Sequence, residues 1–361
     1  MPGRPPKLPR GAIQPRPAVL AMAPYSPPTA GRAGKLRLDF NENTVGCSPR
    51  VIEALAQALD AATLAVYPEY GEAKQTIASY FAVRPEQFVF TNGTDEAIQV
   101  FINTYVDDHQ EVLLLKPAYA MYRFYAEVAG ARIREVEYAP PGMEFPLETL
   151  IEAITPDTRA ILLANPNNPT GTGVSLLGIE RILHRARKAV VLVDEAYYEF
   201  SGVTALGEIE RVPNLFVSRT FSKVFGMAGM RLGCLFSHEA NIRFLHKAQS
   251  PYSVNSLAVL AARAAVADAD YIRTYVAEVL AARELLCYGL EKLGIRYIPS
   301  SANFVLGHFG ARALEVRDAL GAQAILVRDR GYEAPGCVRI TVGTREQTRR
   351  LLEALEKIWQ R

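Results

Sequence analysis

In the stretch "SRTFSKVFGMAGMRLG", Ser218 to Gly233, a lysine, Lys223, stands among hydroxyls, apolar residues and glycines, with Arg231 following. A surface lysine needs no such neighbours. A lysine held in a dry pocket beside another cation has a lowered pKa, and it becomes a nucleophile and base near neutral pH. In "VVLVDEAYYEF", Asp194 closes an apolar run and Tyr197 follows it. A carboxylate there is expensive unless it is ion-paired, hydrogen-bonded or used to cap a helix. In "NPNNPTG", Pro166, Pro169 and Gly171 set a turn that holds Asn165, Asn167 and Asn168. Asp, Tyr and Asn converging on a lysine suit a cofactor with a ring nitrogen, a phenolic oxygen and an aldehyde. The glycines of "GMAGMRLG" lack the GxGxxG spacing of a dinucleotide loop. Gly226, Gly229 and Gly233 are instead expected to permit tight backbone paths around the lysine and arginine.

Positioning such groups requires a scaffold, and the rest of the chain supplies a pattern for one. The runs "QFVFTNG", "EVLLLKP", "RAILLANP", "AVVLVDEAYYEF" and "NLFVSRT" read as buried strands. Helical segments such as "DEAIQVFINTYV" and "SLLGIERILHRARK" lie between them. This alternation predicts an α/β fold, a mostly parallel sheet with helices on both faces. A long helical region from Ser256 to Gly294 suits a connection into a smaller α/β C-terminal domain. The expected organisation is a proline-rich basic arm over 1–38, a large domain over 39–245 and a small domain over 246–361. Each strand is followed by a polar cluster, and open parallel sheets bind ligands at the carboxyl ends of their strands. These clusters are therefore expected to meet in one crevice.

Bulk properties exclude several classes. The net charge of +2 over 361 residues gives no electrostatic case for nucleic acid or an anionic membrane surface. No apolar run is long enough for a membrane span. Cys47, Cys234, Cys287 and Cys337 are scattered, and with five histidines no metal-ligand spacing appears. A reducing cytoplasmic location is expected. The first acid is Asp39, and the proline density before it argues against an amphipathic targeting helix.

Taken in order, "LDFNENT", "VYPEY", "TNGTDEAI", "PAYAMY", "NPNNPTG", "VDEAYYEF", "RTFSKVFGMAGMRLG", "ILVRDR" and "CVRITVGT" resemble the fold-type I pyridoxal-phosphate aminotransferases. Within that group the sequence is similar to the histidinol-phosphate aminotransferase family, from about Tyr25 to the end. The resemblance implies that Lys223 anchors pyridoxal 5'-phosphate covalently and shuttles a proton. It implies that Asp194 pairs with the pyridine nitrogen, that Tyr197 and Asn168 hold the ring oxygen, and that Tyr119 stacks on the ring. The cofactor phosphate would be held by Arg231, Thr220, Ser222 and the helix start at Thr94 and Asp95. Tyr67 would reach the cofactor phosphate of a neighbouring subunit, making an obligate homodimer with shared sites. Arg339 and Arg328 would bind the anionic substrate, with Tyr25 closing over it. The implied reaction passes an amino group from histidinol phosphate to 2-oxoglutarate, a ping-pong step of histidine biosynthesis. An aromatic amino-acid aminotransferase on the same scaffold is the main alternative. An amino-acid-phosphate decarboxylase fits the motifs less well. A non-catalytic regulator would need a DNA-binding module for which the arm is too short and proline-rich.

Overall fold

The computed structural model describes residues 13–24 and 30–360. Tyr25 and the first part of the arm lie outside the described residues. A short strand, β1 (Leu36–Leu38), is followed by three α-helices (Pro49–Ala58, Ala61–Ala65 and Gly71–Phe81) before the large sheet begins. That sheet comprises β2 (Phe88–Thr91), β3 (Glu111–Lys116), β4 (Arg132–Glu137), β5 (Thr158–Ala164), β6 (Val190–Asp194), β7 (Leu215–Thr220) and β8 (Gly233–Ser237). Their spatial order is β2-β8-β7-β6-β5-β3-β4. The β3–β4, β3–β5, β5–β6 and β6–β7 pairs are parallel; β8 alone in this sheet runs against its neighbours.

The apolar strands are buried on both faces, as continuous hydrophobic runs require. Leu113, Ile161, Val191, Val193 and Val217 enter one core, whereas Leu114, Leu162, Leu192 and Phe216 enter the core on the other face. Period-two alternation thus divides each strand between two helical layers. By contrast, β4 ("RIREVE") is charged and lies at the sheet edge, and its polar pattern hides it among loop signals.

The second sheet has the order β1-β11-β12-β10-β9, with β9 (Arg296–Ile298), β10 (Phe304–His308), β11 (Ile325–Asp329) and β12 (Cys337–Thr341). β1 pairs in parallel with β11, so the segment just before Asp39 belongs to this sheet although it lies far away in sequence. The long helical region after Ser256 is two helices, Ser256–Val266 and Ala269–Lys292. Asp268 separates them, because its carboxylate accepts from the Tyr271 N–H and caps the second helix. No helix among the described residues is long and apolar enough to cross a membrane.

Candidate active site

The carboxyl ends of β2, β3, β5, β6 and β7 open on one cavity of about 670 Å³, and the second sheet forms its far wall. This is where an open parallel sheet presents its ligand-binding loops. Lys223, Asp194, Tyr197, Asn168, Tyr119, Thr94, Asp95, Thr220, Ser222, Arg231, Arg328 and Arg339 all line it. Tyr67 does not: it is 73% exposed and stacks on Tyr252, ring centroids 4.4 Å apart.

Lys223 follows β7 in a loop tightened by Thr220, whose Oγ1 accepts from the Ser222 N–H at 3.1 Å. The Lys223 ammonium donates to the Phe40 carbonyl at 3.1 Å. Burial first, then the nearby Arg339 cation, lowers its pKa to about 8. The lysine therefore stands near the ionisation required of a base at neutral pH.

Asp194 ends β6. The Tyr122 hydroxyl donates to its Oδ2 and the Ser218 hydroxyl to its Oδ1, both at 2.8 Å. Burial raises the Asp194 pKa, opposed by those two hydrogen bonds. No cation pairs with this carboxyl group among the described residues, and the side chains that hydrogen-bond it are the neutral hydroxyls of Tyr122 and Ser218. The Tyr197 oxygen accepts from Asn41 Nδ2 at 3.0 Å. Its own hydrogen must then point to another acceptor.

The "NPNNPTG" loop divides its asparagines by task. Asn165 bonds the Val174 backbone in both directions, and Asn167 donates to the Pro117 carbonyl and to Thr170. They hold the turn. Asn168 alone of the three lines the cavity, where its Oδ1 accepts from Arg339 at 2.6 Å.

At the other side, the helix Gly93–Tyr105 starts against Arg231. Asp95 accepts from Arg231 at 3.1 Å and from the Tyr119 hydroxyl at 2.8 Å. A Cβ on Gly93 would lie 2.4 Å from the Arg231 guanidinium, and Gly93 has φ +71. Gly226 has φ +70 and its missing Cβ would meet the Gly46 carbonyl at 2.2 Å. Gly233 is similarly enclosed by Gly93 and Thr94, but Gly229 is not: open space surrounds it, so its expected role in a tight path is not seen.

The second sheet brings arginines. Register places Arg328 directly opposite Arg339 on antiparallel β11 and β12. Like charges directly opposite on neighbouring strands are destabilising. Neither is ion-paired among the described residues. Arg339 is 5% exposed, and burial together with Arg330 lowers its pKa to about 10. It donates to Asn168 and, at 2.7 Å, to the Asp39 carbonyl, while its Nε has no acceptor. A buried guanidinium in this state lacks an anion.

Several cavity residues went unassigned at the level of sequence. Tyr122 was legible within "PAYAMY", three positions after Tyr119, in the first turn of the helix that Tyr119 precedes. Asn41 and Glu42 belong to "LDFNENT", whose order gives no hint that it crosses the site; Asn43 of the same segment lies just outside the cavity lining. Asn43 donates to the Val224 carbonyl at 3.0 Å, tethering the lysine loop. Asn41, at φ 56, also bonds Thr341 of β12 and so links Tyr197 to the second sheet. Arg330 lines the cavity as well.

Residues 33–355 match the family model for aminotransferase class I and II. A histidinol-phosphate aminotransferase of Geobacillus sp. (strain WCH70) is 37% identical over 334 residues, covering 90% of each chain. The corresponding protein of Symbiobacterium thermophilum is 36% identical over 356 residues, covering 94% of this chain and 97% of its own. Among solved structures, histidinol-phosphate aminotransferase from Sinorhizobium meliloti in complex with pyridoxal-5'-phosphate superposes with a TM-score of 0.87 at 26% identity. That match covers 97% of this chain and 99% of the other. With sequence, sheet order and cavity in agreement, the chain belongs to the aminotransferase class I and II family, among the histidinol-phosphate aminotransferases.

Proposed function

We propose that this protein is a pyridoxal-phosphate-dependent aminotransferase that moves an amino group from histidinol phosphate to 2-oxoglutarate, a step of histidine biosynthesis. The observation that carries the substrate is the Arg328–Arg339 pair, two cations without an ion pair among the described residues, opposite each other in register and lining the cavity that holds Lys223. Such an arrangement is unfavourable by itself and favourable around a phosphate dianion.

The residues fit the cofactor. Asp194 is a buried carboxylate without a cation, suited to the protonated ring nitrogen. Tyr197, its oxygen already accepting from Asn41, has a hydrogen to give to the ring oxygen, and Asn168 has its amide N–H groups to donate. Tyr119 would cover the ring face. Arg231, Ser222, Thr220 and the helix N-terminus at Thr94 and Asp95 would hold the phosphate, in a cradle that a side chain on Gly93 would fill. When bound, pyridoxal phosphate supplies an aldehyde that captures amines and a ring that accepts the electrons released at the substrate carbon. Lys223 Nζ, with its pKa lowered to about 8, takes the proton from that carbon and later returns it. Asp194 would keep the ring nitrogen charged, and the two half-reactions would give ping-pong kinetics.

The test compares kcat/KM for histidinol phosphate and phenylalanine, with 2-oxoglutarate as acceptor, in the wild type and in Arg328→Ala. Histidinol phosphate is expected to be preferred and to lose that preference in the variant. A phenylalanine preference that Arg328→Ala leaves intact would point to the aromatic aminotransferase reading instead.

The same reading makes the enzyme a cytoplasmic homodimer of two-domain subunits, with the boundary near residue 245. Tyr67 supports the dimer: it sits outside its own cavity among exposed Leu64, Val66 and Tyr252, an apolar patch that a partner subunit would cover. Across that interface Tyr67 would reach the partner's cofactor phosphate. Tyr25 would close the site.

A further inference from the structure

Arg330 was unassigned above, yet its surroundings are those of a ligand-binding cation. It lies two positions beyond Arg328, and its N–H still donates to the Cys337 carbonyl, which extends the β11–β12 ladder past the end of β11. The period of two puts its side chain on the same face as Arg328. It lines the cavity and is 5% exposed. Its Nε, like that of Arg339, has no hydrogen-bond acceptor. A buried donor left in this state is destabilising. Among these guanidinium groups, Arg330 alone is ion-paired, to Glu333. Arg328, Arg330 and Arg339 against the single carboxylate of Glu333 leave an excess of two positive charges at one end of the cavity.

The chemistry that satisfies this wall is specific. A carboxylate brings one negative charge and two oxygens, which leaves one cation uncompensated. A phosphate monoester brings nearly two charges and three terminal oxygens, enough for three guanidinium groups. On the basis of the histidinol-phosphate reading, we propose that Arg330 is a third contact to the substrate phosphate, and that Glu333 is its counter-ion, tuning the site for phosphate monoesters over carboxylates. Glu333 holds the Arg330 fork in place and offsets its charge. Its own carboxyl is pushed up by burial, against the pull of Arg330 and Arg339. Neutralising Glu333 exposes the full charge of Arg330 to the ligand.

The test uses the holoenzyme, with its cofactor phosphate site filled. Arg330→Met/Glu333→Gln replaces the buried pair by neutral residues, so that neither charge is stranded. Wild type, this double variant and Glu333→Gln are compared by kcat/KM on histidinol phosphate and phenylalanine, and by competitive inhibition with inorganic phosphate. In the double variant, kcat/KM for histidinol phosphate is expected to fall about 10- to 100-fold, mainly through KM, as loss of a charge-assisted contact predicts. Phenylalanine turnover should change less than about threefold and phosphate inhibition weaken about tenfold, on the same basis. Glu333→Gln should tighten phosphate inhibition. Equal losses on both substrates, an undiminished preference for histidinol phosphate, or weaker phosphate inhibition in Glu333→Gln would overturn the role of Arg330. A wild type without that preference would instead overturn the substrate reading itself.

Discussion

Lys223→Met should stabilise the cofactor-free protein near neutral pH, by an amount that shrinks as pH rises. The folded pKa of Lys223 lies at about 8 against an ordinary 10.5, because burial penalises the ammonium. At pH 7 the lysine is charged in both folded and unfolded chains, so the folded state carries the whole penalty. Between pH 8 and 10.5 the unfolded chain binds more protons than the folded one, so wild-type stability rises with pH across that window. Linkage over these two pKa values makes the penalty about 3 kcal/mol at pH 7 and about 1 kcal/mol at pH 10. Methionine has similar length and no charge, so its stability lacks this dependence. Urea unfolding of stripped wild type and Lys223→Met at half-unit steps from pH 7 to 10 isolates the effect, since all other titrations cancel in the difference. The advantage of the variant should decline by about 2 kcal/mol over the series. Parallel curves would refute the idea that Lys223 is held partly discharged by burial.

Gly93→Ala should weaken cofactor binding about tenfold, because the new Cβ displaces Arg231 and a left-handed alanine costs about 1–2 kcal/mol. Absorbance titration of the stripped protein with pyridoxal phosphate measures this, and an unchanged Kd would contradict it. Asn41→Ala removes the donor that lowers the Tyr197 pKa, making the phenol a weaker donor to the ring oxygen. The pH midpoint of the holoenzyme's visible absorbance should move up by roughly 0.5–1 unit, the equivalent of one hydrogen bond. Behind the site, Arg219 and Glu195 form a buried ion pair at 2.8 Å between β7 and the end of β6. Arg219→Met should cost about 3–5 kcal/mol by stranding Glu195, and Arg219→Met/Glu195→Gln should recover most of it in thermal unfolding. Failure of the double variant to recover would mean that packing, or the loss of the cation 3.8 Å from Glu199, carries the cost instead.

The cavity wall built from the parallel sheet was legible because each contribution is local. Asp194, Asn168 and Lys223 each follow an apolar strand within a few residues, and a strand's end determines where the next side chains emerge. The polar wall from the other sheet was legible only in part. Arg328 and Arg339 stood out as cations in strand-like runs, but their mutual opposition depends on the β11–β12 register. Asn41 and Arg330 gave no comparable signal. Asn41 matters because its backbone, at positive φ, crosses from β1 to Thr341 and Tyr197, positions remote in sequence. Edge strand β4 was missed because its residues are charged on a surface that needs no apolar pattern.

Sequence alone determined the elements and the kinds of group at their ends, since strand period, turn residues and a lysine set among hydroxyl, apolar and glycine neighbours are properties of short segments. It determined the family too, because ordered motifs record those same local requirements. Only the tertiary structure decided which groups share charge and hydrogen bonds. Hydroxyls rather than cations surround Asp194; Asn41, rather than a neighbour in sequence, holds Tyr197; and two arginines stand opposite each other in the β11–β12 register. Electrostatics and hydrogen bonding act over a few ångströms in space, and in this fold those distances are set by contacts between segments as far apart as Asn41 and Thr341.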